Sequence, residues 1–288
     1  MRLTEQAYAK VNLWLSVGDK RPDGYHDVET VMHTVSLCDT VALEISEGNG
    51  ISLAVTGDGS VPCDARNLAW RACETFLRHS GRTARVRIEI DKRIPAGGGL
   101  AGGSSDAAAV LRALNRAFDS PYTPQQLMEV AAELGSDVSF CVLGGTALCR
   151  GRGEVVTPLE DPKPLHLLLA FSGEHVSTPD AYRLLDADGG EERGGATLMG
   201  CLGALQEGSM AGLEGHMYNR FEKSILPTCP AANAYRNALA GAGGVSRMSG
   251  SGSTVFAVFE SEESALEAQK LLDFEVTYAT SVKSYFKK

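Results

Sequence analysis

Between residues 94 and 108 the chain reads IPAGGGLAGGSSDAA, with five glycines among the seven positions from Gly97 to Gly103. A stretch with so few side chains gains nothing from packing, so its use lies in the backbone. The segment before it, ARVRIEIDK, alternates Val86, Ile88 and Ile90 and predicts a strand. The segment after it, SSDAAAVLRALNRAF, predicts a helix that is tightly packed along its first turns. A strand, a bare loop and a helix start are the parts of an anion site. Loop N–H groups point at the ligand, the helix N-terminus adds about half a positive charge, and glycine lets the backbone approach closely. Ser104 and Ser105 add hydroxyl donors or a magnesium ligand. The plainer uses of glycine are a hinge or a tight helix–strand turn, but neither calls for a glycine run abutting two serines.

The loop does not fit the common nucleotide motifs. No Gly-Lys-Ser/Thr occurs, which excludes the Walker-type P-loop. Gly97, Gly99 and Gly102 satisfy G-x-G-x-x-G, but the dinucleotide fold wants that motif in a first βαβ unit with an acid ending the next strand. Here it lies about a hundred residues in, and Asp119, at the right distance, follows a helix. Neither H-R-D nor D-F-G is present, which excludes the protein-kinase pattern.

The formal net charge of −9 speaks against general affinity for nucleic acid or an anionic membrane, so any phosphate must be met by local donors. Hydrophobic content of 43% and charged content of 22% are those of a globular protein. The opening MRLTEQAYAKVNLWLSV lacks a secretory pattern, and no run approaches 18 apolar residues. The seven cysteines are scattered without a C-x-x-C pair and read as reduced thiols, giving the expectation of a cytoplasmic protein. No heptad or long edge indicates an oligomeric state.

Along the chain, Ala9, Val11, Leu13, Leu15 and Val17 mark a first strand, the turn Pro22-Asp23-Gly24 follows, and further strands begin near Val28 and in TVALEI. Leu68, Ala72 and Phe76 form a helical stripe ended by Gly81, and TPQQLMEVAAELG is a second helix with Thr123 as cap and proline at its start. Beyond residue 150, PLHLLLAF is a buried strand, 184–215 is polar and loop-rich with short helical pieces, GGVSRMSGSGSTVFAVF holds a second glycine–serine turn, SALEAQKLL is a helix and YATSVKSYF a last strand. The expected class is α+β in two domains, 1–155 and 156–288, the second ferredoxin-like.

Among the charged residues, Lys10 has the parity opposite to Ala9, Val11 and Leu13. That suits a solvent-facing lysine as well as a site residue, and Asn12 shares its face. Asp137, after AAELGS, reads locally as a helix N-cap. Tyr25 and His26 could be turn residues alone. His33, His79, His166, His175 and His216 lack metal-ligand spacing.

Three blocks together resemble the GHMP kinase superfamily: AYAKVNLWLSVGDKRPDGYHDVETVMHTVSLCDT, then IPAGGGLAGGSSDAAAVLRALN with LGSDVSFCVLGGTALCRGRGE, then RMSGSGSTVFAVF, supported by YNRFE. RPDGYH points to the branch acting on methylerythritol bearing a cytidine diphosphate, rather than to mevalonate, homoserine or galactose kinases. The resemblance implies a GHMP kinase fold with a ribosomal-protein-S5-like N-terminal domain. It implies ATP with its phosphates on Pro95, Gly97, Gly98, Gly99, Leu100, Ala101, Gly102, Gly103, Ser104 and Ser105, with Asn67 and Lys92 near the adenine, and Mg2+ bridging the phosphates. Asp137 matches the catalytic aspartate and Lys10 its lysine partner. The resemblance further implies that Asn12, Tyr25, His26, Met32, Thr178 and Tyr182 form the wall for a small-molecule substrate, the cytidine diphosphate-linked methylerythritol. Lys20, Arg21, Arg93, Arg150 and Arg152 are candidate donors to its phosphates. The sequence departs from the family pattern at Ala101 (usually glycine), Asp106 (usually asparagine) and Met32 (often aromatic).

Overall fold

In the computed structural model, which describes residues 1–188, 190 and 192–286, two antiparallel-rich sheets lie between helical layers. The chain opens with β1 (Arg2–Lys20), β2 (His26–Ser46) and β3 (Gly50–Thr56), followed by α1 (Leu68–Ser80) and β4 (Arg85–Asp91). Three helices follow: α2 (Gly102–Ala117), α3 (Pro124–Ala132) and α4 (Ser136–Leu143). Strands β5 (Thr146–Arg150), β6 (Val155–Pro158) and β7 (His166–Ala170) lead to α5 (Thr178–Ala187), α6 (Leu198–Glu207) and α7 (Met210–His216). The remainder is β8 (Tyr218–Asn219), α8 (Glu222–Ile225), α9 (Pro230–Gly241), β9 (Val245–Met248), β10 (Val255–Phe259), α10 (Glu262–Leu271) and β11 (Val276–Thr280).

The first sheet runs β3-β4-β2-β1-β8, with β5 also paired to β2 and β6 to β5. The second is wholly antiparallel in the order β11-β7-β10-β9. With helices between β7 and β9 and between β10 and β11, this is the ferredoxin-like arrangement that the strand–helix alternation predicts. The lobes interleave: β8 pairs in parallel with β1, and Ser281 and Ser284 bridge back to Val35 and Gly144. The short helical pieces expected within 184–215 include α6, which buries Cys201, Ala204 and Leu205, and α7, which buries Leu213.

Period two builds the core between the layers. Leu167 and Leu169 of β7, with Phe256 and Val258 of β10, face the first lobe. Leu168, Ala170, Val255, Ala257 and Phe259 face the helices behind. Burying each such leucine contributes about 1.5–3 kcal/mol. Small residues Ala107, Ala108, Ala109 and Ala113 let α2 lie close against its neighbours.

Strand β1 carries the departure that matters for the site. It is buried on both faces from Ala9 to Val17, so Lys10 is not solvent-facing. Its pairing with β2 shifts register between Tyr8 and Lys10 and again between Asn12 and Trp14. Irregularities of this kind re-aim side chains, and here two of them flank Lys10 and Asn12.

Candidate active site

The glycine-rich loop leaves β4 and ends where α2 begins. Gly97 (φ 70°), Gly99 (φ 79°) and Ala101 (φ 58°) all lie in the left-handed region. The methyl group of Ala101 is therefore accommodated at a backbone cost of about 1–2 kcal/mol. The glycines serve two ends. At Gly99 a Cβ would run into the Ser249 carbonyl, and at Gly98 it would sit 2.6 Å from Thr254 Oγ1. These positions are bare because the second glycine–serine turn, 249–254, crosses them. Gly103, by contrast, has only Leu68 Cδ1 near, at 3.9 Å. The N-cap of α2, Ala101, supplies no side-chain acceptor, so the first helical N–H groups present their partial positive charge without a protein cap.

The turn at 249–254 holds the loop from behind. Ser249 Oγ donates to Gly99 O at 3.0 Å, and the Thr254 amide donates to Gly98 O at 3.3 Å. On the other side the Lys10 amide donates to Leu100 O at 3.1 Å. Sequence reasoning noted this second turn but assigned none of its residues to the site; its SGSGS run was the available signal.

Lys10 Nζ has three partners. It donates to Asn12 Oδ1 at 2.7 Å and to Gly99 O at 2.9 Å, and it lies 3.6 Å from Asp137 Oδ2. Asn12 in turn accepts from the Gly250 amide at 2.9 Å and donates to Thr30 Oγ1 at 2.8 Å. One buried ammonium thus touches the loop, the strand and the carboxylate. Asp137 is the second residue of α4 and Gly135 is the N-cap, which corrects the N-cap expectation. An acidic residue in a first helical turn is favoured by the helix dipole. A cleft of about 330 Å³ is lined by Lys10, Asn12, Asp137, Arg152 and the loop from Gly97 to Ser104 except Leu100.

A second pocket, about 730 Å³, opens beside the first and shares Ser104, Asp137, Arg152, Thr178 and Tyr182 with it. Tyr25 and His26 line it. Tyr25 is 55% exposed, with the Arg152 guanidinium 5.1 Å from its ring centroid. The His26 ring stacks on Tyr182 at 4.9 Å, and burial pushes the Tyr182 phenol up to about 12, with the Asp137 charge adding to the effect. Asp186, one helical turn beyond Tyr182, lies 2.7 Å from His26 Nε2 and was missed from the sequence. Thr178, Tyr182 and Asp186 recur every fourth residue on α5, the spacing of one helix face, and that pattern was legible.

The remaining expected ligand residues divide between the pocket walls and the interior or surface. Ser105 Oγ donates to Tyr8 O at 2.6 Å and is buried, because it falls on the inner face of α2; Ser104 lines the cleft. Leu100 is wholly in the core, offering only backbone. Pro95 lines the cleft. Met32, opposite Asn12 across β1–β2, lines the first cleft and not the pocket of Tyr25 and His26. Asn67 caps α1, accepting from the Ala69 amide and donating to Pro62 O. Among the candidate cations, Arg152 and Lys20 line these pockets. Arg21, Arg93 and Arg150 instead pair with the surface carboxylates Asp23, Asp91 and Glu29.

Lys92, expected near the adenine, lies beneath the loop close to Gly102. It binds Asp39 and, at 2.8 Å, Asp106, all three being buried. Asp39 also accepts from the Arg93 and Ile94 amides. Asp106 has one oxygen on Lys92 and the other, Oδ1, buried with no partner. Burial pushes its carboxyl up to about 7; Lys92 opposes the shift and Asp39 adds to it. The acid in place of asparagine therefore faces away from the cleft and tends toward its neutral form. Among the described residues no group of three or more His, Cys, Asp or Glu could hold a metal ion.

Two interleaved α+β lobes with a helix-start loop facing a lysine–carboxylate pair have the architecture of the GHMP kinases. The model of the GHMP kinases N-terminal domain matches residues 67–145 and that of the GHMP kinases C-terminal domain matches 201–273. The chain is 38% identical over 268 residues to 4-diphosphocytidyl-2-C-methyl-D-erythritol kinase of Caldicellulosiruptor bescii, covering 93% of each chain. The corresponding kinase of Bacillus licheniformis is 42% identical over 264 residues, covering 91% of this chain and 90% of the relative. A crystal structure of 4-(cytidine 5'-diphospho)-2C-methyl-D-erythritol kinase superimposes with a TM-score of 0.80 at 34% identity, covering 96% of this chain and 98% of that one. The chain belongs to the GHMP kinases and, within them, to the 4-diphosphocytidyl-2-C-methyl-D-erythritol kinase family.

Proposed function

We propose that this protein transfers the γ-phosphoryl group of ATP to the 2-hydroxyl of 4-diphosphocytidyl-2-C-methyl-D-erythritol, giving the 2-phosphate and ADP in non-mevalonate isoprenoid precursor synthesis. The observation that carries this is Lys10 Nζ, which contacts the loop carbonyl of Gly99 and stands 3.6 Å from Asp137 in one cleft. Phosphoryl transfer needs positioning and charge stabilisation more than covalent chemistry. In this reading the N–H groups of Gly97–Ser104 hold the phosphates. Asp137 accepts the hydrogen bond of the acceptor hydroxyl and takes its proton as the oxygen bonds to phosphorus. Lys10 offsets the negative charge that gathers between them. Asn12, tied to Lys10 and Gly250, keeps the ammonium in place.

Magnesium is held chiefly by nucleotide phosphates and water and needs few protein ligands. The single carboxylate of Asp137 and the hydroxyl of Ser104, both lining the cleft, fit that requirement. When bound, the ion neutralises phosphate charge. The wider pocket, walled by Tyr25, His26, Thr178 and Tyr182, would take the cytidine, with Arg152 and Lys20 near its diphosphate.

We take 1–155 and 156–288 as the two functional lobes and the cytoplasm as the setting. The seven free cysteines support that setting, and no helix among the described residues is long and apolar enough to cross a membrane. ADP release measured with the cytidine diphosphate substrate, and separately with mevalonate, tests the reading. Turnover of the first and not the second is expected; turnover of mevalonate alone overturns it.

A further inference from the structure

His26 and Asp186 form a carboxylate–imidazole dyad in the wall of the wider pocket. The ring is buried, and its Nε2 lies 2.7 Å from Asp186 Oδ1. The other oxygen of Asp186 accepts from Lys20 Nζ at 3.1 Å. Stacking on Tyr182, itself packed edge-on against Phe221, fixes the plane of the ring. Among the described residues no group hydrogen-bonds Nδ1, although the residue lines the pocket.

A carboxylate accepts only, so the ring nitrogen beside it carries a proton. Lys20 on the other oxygen leaves the Asp186 carboxylate shared between two donors, with one of its oxygens committed to Nε2. A neutral imidazole protonated on Nε2 has a lone pair on Nδ1. An acceptor at that point suits an exocyclic amine, as on cytosine, and opposes a carbonyl oxygen, as at the same position of uracil.

We infer that Asp186 is a positioning residue that sets the His26 tautomer, making Nδ1 an acceptor that selects an amino-pyrimidine over an oxo-pyrimidine. This rests on the proposed cytidine diphosphate substrate. Discrimination follows from the unpaired polar atoms that the wrong base would leave in a buried pocket. A carboxylate bonded to a ring nitrogen in this way fixes the orientation and tautomer of the ring.

The test uses the full chain. Proton–nitrogen correlation spectra of the histidine rings should show His26 protonated on Nε2 alone, with that preference lost in Asp186→Ala and kept in Asp186→Asn, whose amide oxygen still accepts. In ADP-release assays Asp186→Ala should raise the KM for the cytidine diphosphate substrate about tenfold, leaving most of the loss in KM rather than kcat. It should also narrow the ratio of kcat/KM between the cytidine substrate and its uridine analogue, while Asp186→Asn restores that ratio. A purely structural role would leave the ratio unmoved. A His26 ring protonated on Nδ1, or on both nitrogens, overturns the inference, as does an unchanged ratio in Asp186→Ala. If the wild-type chain turned over no cytidine substrate, the functional reading would fail, while the spectra still decide whether Asp186 sets the tautomer.

Discussion

Lys10 and Asp137 come from elements 127 positions apart in the chain and meet with their charged atoms 3.6 Å apart, Lys10 being almost completely buried and Asp137 partly open to the cleft. The difference in exposure matters. The ammonium is fixed by Asn12 and Gly99, while the carboxylate keeps a free side toward a ligand.

Replacing Asp137 by alanine removes the proposed proton acceptor. Turnover should fall by roughly two or more orders of magnitude, the usual worth of a positioned acid–base group, and Lys10→Ala should fall at least as far because it also empties a buried site. Coupled ADP release measures both. Near-normal kcat in Asp137→Ala would refute its role.

The two kinds of loop glycine should respond differently to alanine. Gly99→Ala places a methyl group at φ 79° and against the Ser249 carbonyl, so the loop and the 249–254 turn must separate. A stability loss of about 2–4 kcal/mol is expected from left-handed backbone strain and overpacking. Gly103→Ala, on a regular helical turn with open space, should leave the thermal midpoint unchanged or raise it slightly. Calorimetric scans of the two variants compare them; equal losses would contradict the distinction.

His33 is buried between Thr146 Oγ1 at 2.9 Å and Ser281 Oγ at 2.8 Å, joining β2 to β5 and to the chain beyond β11. Burial lowers its pKa from 6.5 to about 4, with Asp161 opposing the shift. The folded state therefore resists protonation that the unfolded chain accepts. Stability is full above pH 6.5 and declines as pH falls to about 4, by about 3 kcal/mol in total. His33→Gln keeps polar partners but does not titrate, so its stability curve should be flatter in that window. Parallel slopes for both proteins would sink the assignment.

Asp106 titrates in the opposite sense. Its folded pKa is raised, so its contribution is complete below about pH 4 and is lost as pH rises toward and through about 7. Asp106→Asn should therefore gain stability relative to the parent as pH goes from 5 to 8, with Lys92 still paired to Asp39. Thermal midpoints at the two pH values check this. Lys92→Met, which strands two buried carboxylates, should by contrast cost about 3–5 kcal/mol.

Local chemistry determined much of this protein from sequence alone. The glycines of 97–103 gave the loop, the alternation of Val86, Ile88 and Ile90 the strand before it, and the Thr123 cap and Pro124 the start of α3, because these depend on neighbours within a few residues. Tertiary contact decided the rest. Lys10 looked equally suited to solvent until the 249–254 turn was seen to cover its face. Ser105 and Lys92 looked like ligands until α2 was seen to turn one inward and the Asp39–Asp106 pair to claim the other. The spacing of Thr178, Tyr182 and Asp186 put Asp186 on their helix face, but its partner became visible only when α5 met His26, 160 residues earlier. A backbone's local preferences act over a turn or two of chain, whereas a site is made by groups whose separation in space bears no relation to their separation in sequence.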